Sequence, residues 1–219
     1  RFTGLLGDRR ALGHIRECHG DLHLGNVALI DESPVIFDAG ITMLGDWYLE
    51  EIEKILGDRQ PVYCLLTHVH FDHCGAVAIF KNRYPQMQVV AAAKAREILQ
   101  RRGAIDRIRF LNTAAESLVK QTGISYNSKR RFENFSVDRV AKEGDRIKVS
   151  TDGVIRVIES PGHTWDCLSY LIAGKNILLS SEAAGQADKT GYIVSDCLAD
   201  YDRYLQSLLR LKALKVDMV

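Results

Sequence analysis

Apolar and polar positions along the chain alternate first with the period of a mixed α/β domain and later with that of a β-rich one. Residues 26–30 (NVALI) and 35–37 (VIF) are short apolar runs on either side of Asp31-Glu32-Ser33-Pro34. Those turn-forming residues predict a β-hairpin ending at Asp38-Ala39-Gly40. Over residues 46–56, Trp47, Leu49, Ile52 and Ile55-Leu56 recur near helical spacing among acidic residues, and Gly57-Asp58 stops the helix. Residues 62–66 predict a brief strand, and 75–84 a helix with Ala76, Ile79 and Phe80 on one face. A strand over 88–92 and a helix over 93–101 complete a β-α-β-α alternation, the signature of a layered α/β domain.

Residues 103–135 are basic and weakly periodic, broken by Gly123 and by Asn127-Ser128-Lys129-Arg130-Arg131, and predict one or two helices and a solvated loop. From Val137 the pattern turns to strands near 146–149, 154–159, 167–173 and 176–180, separated by Asp152-Gly153, Pro161-Gly162 and Gly174-Lys175. A last helix over 199–214 carries Tyr201, Tyr204, Leu205, Leu208 and Leu211 on one face. No repeat, low-complexity tract or interdomain linker interrupts the chain.

Composition narrows the classes. A length of 219 residues with 46% hydrophobic content suits one large α/β domain. The 29 basic and 28 acidic residues leave a formal charge of +1, so nothing points to nucleic acid or an anionic membrane as partner, and a small-molecule substrate fits better. Five irregularly spaced cysteines with no CxxC pair predict reduced thiols and a cytoplasmic location. There is no apolar run that spans a bilayer and no signal-peptide pattern, so the expectation is a soluble protein. Both ends read as cut, since the chain opens on Arg1 and stops at Val219 within an apolar segment.

The chemistry concentrates in Thr67-His68-Val69-His70-Phe71-Asp72-His73, at the predicted strand-to-helix junction. Residues two apart in an extended segment share a face, so His68 and His70 can address one ion, while Asp72 and His73 turn toward a second. Three imidazoles and a carboxylate packed at a strand end without a cation would cost desolvation and mutual repulsion. Imidazole and carboxylate suit zinc, and iron or manganese meet the same donor set. His163 joins them as a third ligand with His68 and His70, because Ser160-Pro161-Gly162-His163-Thr164 follows a strong predicted strand and its Pro-Gly turn projects the imidazole. Cys74 adjoins the cluster but reads as a packed thiol on the opening turn of a helix.

THVHFDHCGA followed by SPGHTWDCLSY resembles the metallo-β-lactamase superfamily in order and spacing, over about residues 26–219. The resemblance implies a metallo-β-lactamase-like αββα sandwich, two zinc ions and hydrolysis by metal-bound hydroxide. It implies that Asp38, at the end of a hairpin similar to the family's opening one, orients the ligands. It also places Glu182 where the family has its bridging aspartate. The family's final histidine follows one more helix and strand, so the domain is expected to be incomplete at the C-terminus, with His68, His70 and His163 whole as site one. Site two, Asp72, His73 and Glu182, is expected to be weaker. Asp72 and His73 are the expected catalytic residues, orienting the nucleophile and neutralising developing charge.

His70 argues against the iron-dependent redox branch, which has a carboxylate at that motif position. The short stretch from His163 to Glu182 leaves no room for the domain inserted in nucleic-acid-cleaving relatives. A small ester, thioester or lactone is the expected substrate, and similarity to hydroxyacylglutathione-hydrolase-like enzymes follows. The alternative is a non-catalytic metal-binding or sensor protein of the same fold.

ECHGDLHLGN at residues 17–26, with Asp38 beyond, also resembles the catalytic loop of aminoglycoside-phosphotransferase-like kinases. There the residues matching Asp21, Asn26 and Asp38 would be base, magnesium ligand and nucleotide-metal ligand. No Gly-rich phosphate loop or paired lysine accompanies them. Residues 1–25 are therefore expected to be an extension, a kinase-like remnant or a chance likeness, ahead of a domain over 26–219.

Overall fold

In the computed structural model, which describes residues 27–187 and 190–219, β1 (Val27–Ile30) and β2 (Ser33–Phe37) pair antiparallel. Asp31 and Glu32 both take positive φ, 47° and 64°, the conformation of a two-residue hairpin turn whose twist matches the strands. The turn is thus shorter than the sequence pattern predicts. Ser33 and Pro34 open β2, a position where proline's missing N–H is tolerated.

The chain divides into two compact units, one reaching Ala141 and one running Lys142–Val219. In the first, β2 is followed in parallel register by β3 (Tyr63–Leu65), β4 (Gln88–Ala92) and β5 (Arg139–Ala141), giving sheet order β1-β2-β3-β4-β5. Val35, Ile36, Phe37, Cys64, Leu65, Val89 and Val90 are all buried, as in parallel strands covered on both faces. The periodicity does not predict β5, whose three residues include a charged one and are recruited by register with β4.

Helix α1 (Gly45–Leu56) buries Tyr48, Ile52 and Leu56, while Trp47, Leu49 and Ile55 flank that stripe half-buried. The helix predicted over 75–84 is observed as α3 (Val77–Arg83), and a separate short helix, α2 (Phe71–Cys74), precedes it where the pattern predicts none. Gly75 stands between the two. Its N–H donates to Gly40 O (2.8 Å), its carbonyl accepts from Thr42 Oγ1 (2.7 Å), and a Cβ there would meet Gly40 O at 2.6 Å. Three helices follow: α4 (Ala93–Ile98), α5 (Arg102–Ala114) and α6 (Glu116–Gln121). The basic loop beyond them is tied down, because Asp46 accepts from Asn127 Nδ2 at 3.0 Å and from Arg130 Nε at 3.1 Å.

The second unit is an antiparallel sheet in chain order, β6 (Arg146–Lys148), β7 (Val154–Glu159), β8 (Leu168–Ile172) and β9 (Ile177–Leu179). A small hairpin follows, of β10 (Gln186–Ala187) and β11 (Ile193–Val194). Helix α7 (Tyr201–Lys212) is capped by Asp200, whose side chain accepts from Arg203 N at 2.9 Å. Ile158, Leu178, Ala183, Leu211 and Val216 form a core in this unit. The buried face of α7 is Tyr204, Ser207 and Leu211, whereas Tyr201, assigned to that face by spacing, is exposed. Ser207 takes the inner position, where its hydroxyl donates to Pro161 O at 2.7 Å. Among the described residues, no helix is long and apolar enough to cross a membrane.

Candidate metal centre

Strands β2 and β3 lie side by side with Phe37 opposite Leu65, so the loops leaving their carboxyl ends emerge together. Asp38 follows the first and Thr67 the second. Asp38 takes φ 56°, a left-handed conformation that aspartate tolerates, and its N–H bonds Leu65 O at 3.0 Å. Its carboxylate then faces the histidine loop. Oδ1 accepts from Thr67 N (2.7 Å), while Oδ2 accepts from Thr67 Oγ1 (2.8 Å) and from His73 Nδ1 (3.0 Å).

These bonds determine where the protons sit. A carboxylate only accepts, so His73 carries its proton on Nδ1 and its lone pair on Nε2. The single hydroxyl proton of Thr67 goes to Asp38, so Thr67 Oγ1 accepts from His68 Nδ1 at 3.0 Å, and His68 also carries its lone pair on Nε2. The His70 ring stands 4.6 Å from that of His68, and the His73 ring 4.1 Å. His68 and His73 are buried and His70 is half-buried, on the extended segment leading into α2. Asp72, half-buried in α2, has Oδ2 3.9 Å from His73 Nε2. The first unit therefore gathers His68, His70, Asp72 and His73, with Asp38 buttressing them.

In the second unit, β7 and β9 flank antiparallel β8 and run in the same direction, so the loops after them leave the same sheet end. The first presents His163 and the second Glu182, in a 3-10 turn over Ser181–Ala184. Ser169 Oγ joins the loops, 2.7 Å from Ser160 Oγ and donating to Ser180 O at 3.4 Å. His163 is buried, and its Nδ1 donates to Asp196 O at 2.7 Å. A carbonyl only accepts, so here too the lone pair lies on Nε2. Glu182 is buried, with Gln186 Nε2 donating to Oε1 at 2.9 Å and Ser181 Oγ donating to Oε2.

Among the described residues, Cys64, Cys74 and Cys167 are buried thiols. Cys74 is buried at the end of α2. Burial pushes the Cys64 thiol far up, with the Asp38 charge adding to it, and pushes Cys167 up to about 12, whereas a metal takes the thiolate. Of the kinase-like residues, Asp21 and Asn26 lie outside the described residues, and both carboxylate oxygens of Asp38 are engaged as above.

Two supports have no separate signal in the sequence reading. Thr67 belongs to the motif, yet its role as a relay depends on the neighbouring end of β2. Asp196 serves His163 through its main-chain carbonyl, which any residue could supply.

A family model described as the metallo-β-lactamase superfamily matches residues 20–219. A hydroxyacylglutathione hydrolase of Nitrobacter hamburgensis is 27% identical over 153 residues, 70% of this chain and 44% of that protein. A metallo-β-lactamase fold-containing protein of Sulfurisphaera tokodaii is 24% identical over 190 residues, 84% of this chain and 66% of that one. The chain thus spans less than two thirds of the curated relatives it matches. Among solved structures, an archaeal metallo-β-lactamase superfamily protein from Sulfolobus tokodaii superposes with TM-score 0.63 at 22% identity, covering 87% of this chain and 69% of its own.

Proposed function

This chain belongs to the metallo-β-lactamase superfamily, and from that premise we propose that it is a dinuclear zinc hydrolase acting on a small ester, thioester or lactone. Members of the superfamily generally bind metal ions and are commonly hydrolases. The observation that carries the reading is the shared state of three buried imidazoles: His68, His73 and His163 each commit Nδ1 to an acceptor and keep the lone pair on Nε2. Tying off the far ring nitrogen orients a ligating histidine and raises its basicity.

We assign His68, His70 and His163 to a first cation, and Asp72, His73 and Glu182 to a second. Such cations supply Lewis acidity for a carbonyl oxygen and lower the pKa of water. The chain's own residues do the rest. The Asp72 carboxylate would orient the attacking water, and Asp38 keeps the His73 proton on Nδ1 so that its Nε2 lone pair is free to hold the second cation, through which alone His73 would bear on negative charge at the substrate oxygen. The formal charge of +1 gives a polyanion no field to follow, and the hydroxyacylglutathione hydrolase relative favours thioesters within the class.

The test is metal analysis of the purified chain joined to a hydrolysis screen on esters, thioesters, lactones, lactams and phosphodiesters, with His68→Ala and His70→Ala as controls. Bound zinc and thioester or ester turnover, both lost in the variants, are expected. A chain that takes up no metal, or hydrolyses equally well after those substitutions, overturns the reading. A second reading, metal binding without turnover, draws on Glu182, whose two oxygens already accept from Gln186 and Ser181. Stoichiometric metal with no hydrolysis across the screen would select it.

A further inference from the structure

The buried face of α7 holds one residue with more bonds than packing requires. Tyr204 is 3% exposed, and its hydroxyl donates to Glu182 O at 3.0 Å. The Ser195 side chain and the Asp196 main chain face the same oxygen on the donor side.

Each bond leads to a proposed ligand. Glu182 is bonded at its own main chain. Asp196 is bonded at N–H, and its carbonyl receives the Nδ1 proton of His163 at 2.7 Å. The first turn of α7 is seated tightly on the loop that carries His163, because a Cβ on Gly162 would lie 2.2 Å from Tyr204 Cα. Gly162 O accepts from Ala199 N and Asp200 N, both at 3.1 Å, and Ser207 Oγ reaches Pro161 O. The ring could pack as phenylalanine; of this side chain only the hydroxyl bonds the Glu182 turn, adding to the link that Ser169 makes between the two ligand loops.

Resting on the metal-site reading above, we propose that Tyr204 is a positioning residue for metal binding, its hydroxyl holding the Glu182 turn and the His163–Asp196 pair in one arrangement. Removing the oxygen leaves Glu182 O and the Asp196 N–H without that partner, so both ligand loops gain freedom while the apolar contacts stay. Losses of supporting bonds around ligands weaken metal affinity by about 10–100-fold.

The experiment compares the parent chain, Tyr204→Phe and Ile147→Ala, the last removing core volume from the edge strand β6, where Ile147 pairs with Ile155 of β7. Zn2+ affinity is measured by competition with a chromophoric chelator, Co2+ d–d absorption reports ligand geometry, and melting of the metal-free chain reports stability. The expected result is a 10–100-fold loss of Zn2+ affinity and altered Co2+ bands in Tyr204→Phe, with both unchanged in Ile147→Ala despite its lower melting temperature. Equal affinity and spectrum in Tyr204→Phe overturn the proposal. So does an equal loss in Ile147→Ala, which would make the effect one of general stability. Should Tyr204→Phe fail to fold, Ser195→Ala, which deletes one donor to the phenol oxygen, is expected to lose affinity several-fold, and an unchanged affinity counts against the proposal. A parent chain that binds no Zn2+ instead defeats the metal-site reading itself.

Discussion

Asp38 carries three bonds on one buried carboxylate, and through Thr67 it reaches a second histidine. Replacing it with alanine leaves the Thr67 N–H, the Thr67 hydroxyl and His73 Nδ1 without their acceptor, each a buried loss of roughly 1–3 kcal/mol before relaxation. Asp38→Ala is therefore expected to lower stability by about 3 kcal/mol in denaturant melts. Thr67→Ala is milder and more telling. It keeps the fold and removes the group that holds the His68 proton on Nδ1, so Zn2+ affinity is expected to fall about tenfold in a chelator competition. Unchanged affinity would show that the relay does not set the tautomer. The gathering of His68, His70 and His73 was legible from their spacing, because residues so close along the chain meet at the end of one strand. The relay was not, because Asp38 and Thr67 meet only through the parallel register of two strands.

At the scale of elements, alternation and breakers identified most strands and helices, and β4 matches its predicted span over 88–92. Failures came where tertiary contact overrides local pattern: the short helix Phe71–Cys74 ahead of Gly75, whose N–H the Gly40 carbonyl takes, the unpatterned β5, and the exposed Tyr201. The basic loop after α6 is another. Like charges in a row predict a solvated segment, yet Arg130 and Asn127 bind Asp46 in the first turn of α1. The Arg130 hydrogen bond holds the Asp46 carboxyl below its ordinary range. A depressed folded pKa contributes stability that is present above the unfolded value and drains away as pH falls through the folded one. The anchoring should thus persist at neutral pH and fail only in acid, below the usual carboxylate range. The pair is partly exposed, so its global contribution is small, about 0.2–1 kcal/mol before screening. Its local effect is larger: Arg130→Ala is expected to speed amide exchange across 124–131 at pH 7, with little change in the global melt. Exchange in that segment identical to the parent's would refute the anchoring.

For the molecule as a whole, the superfamily was legible because its ligand motifs keep their order and spacing whatever the intervening elements do, and the family match over residues 20–219 bears that out. Substrate was not, since the apolar and polar groups that choose it carry no fixed spacing. The proposed ligands are supplied by both compact units, so metal should stabilise each of them. A ligand that binds only the folded chain adds RT ln(1 + [L]/Kd), about 2.7 kcal/mol at a free concentration of 100 Kd. Cys64 in β3 and Cys167 before β8 provide a reporter in each unit: both are buried thiols whose pKa burial raises, so a thiol reagent reaches them only through opening. When opening and reclosing outpace labelling, the labelling rate tracks the open population. Zinc at 100 Kd is then expected to slow modification of Cys64 and Cys167 by about 100-fold each, and a chelator to restore the faster rate. Protection of Cys64 alone would confine the ion to the histidine loop after β3. Protection of Cys167 alone would confine it to the His163 and Glu182 loops, and protection of neither would remove the metal from the account of this fold.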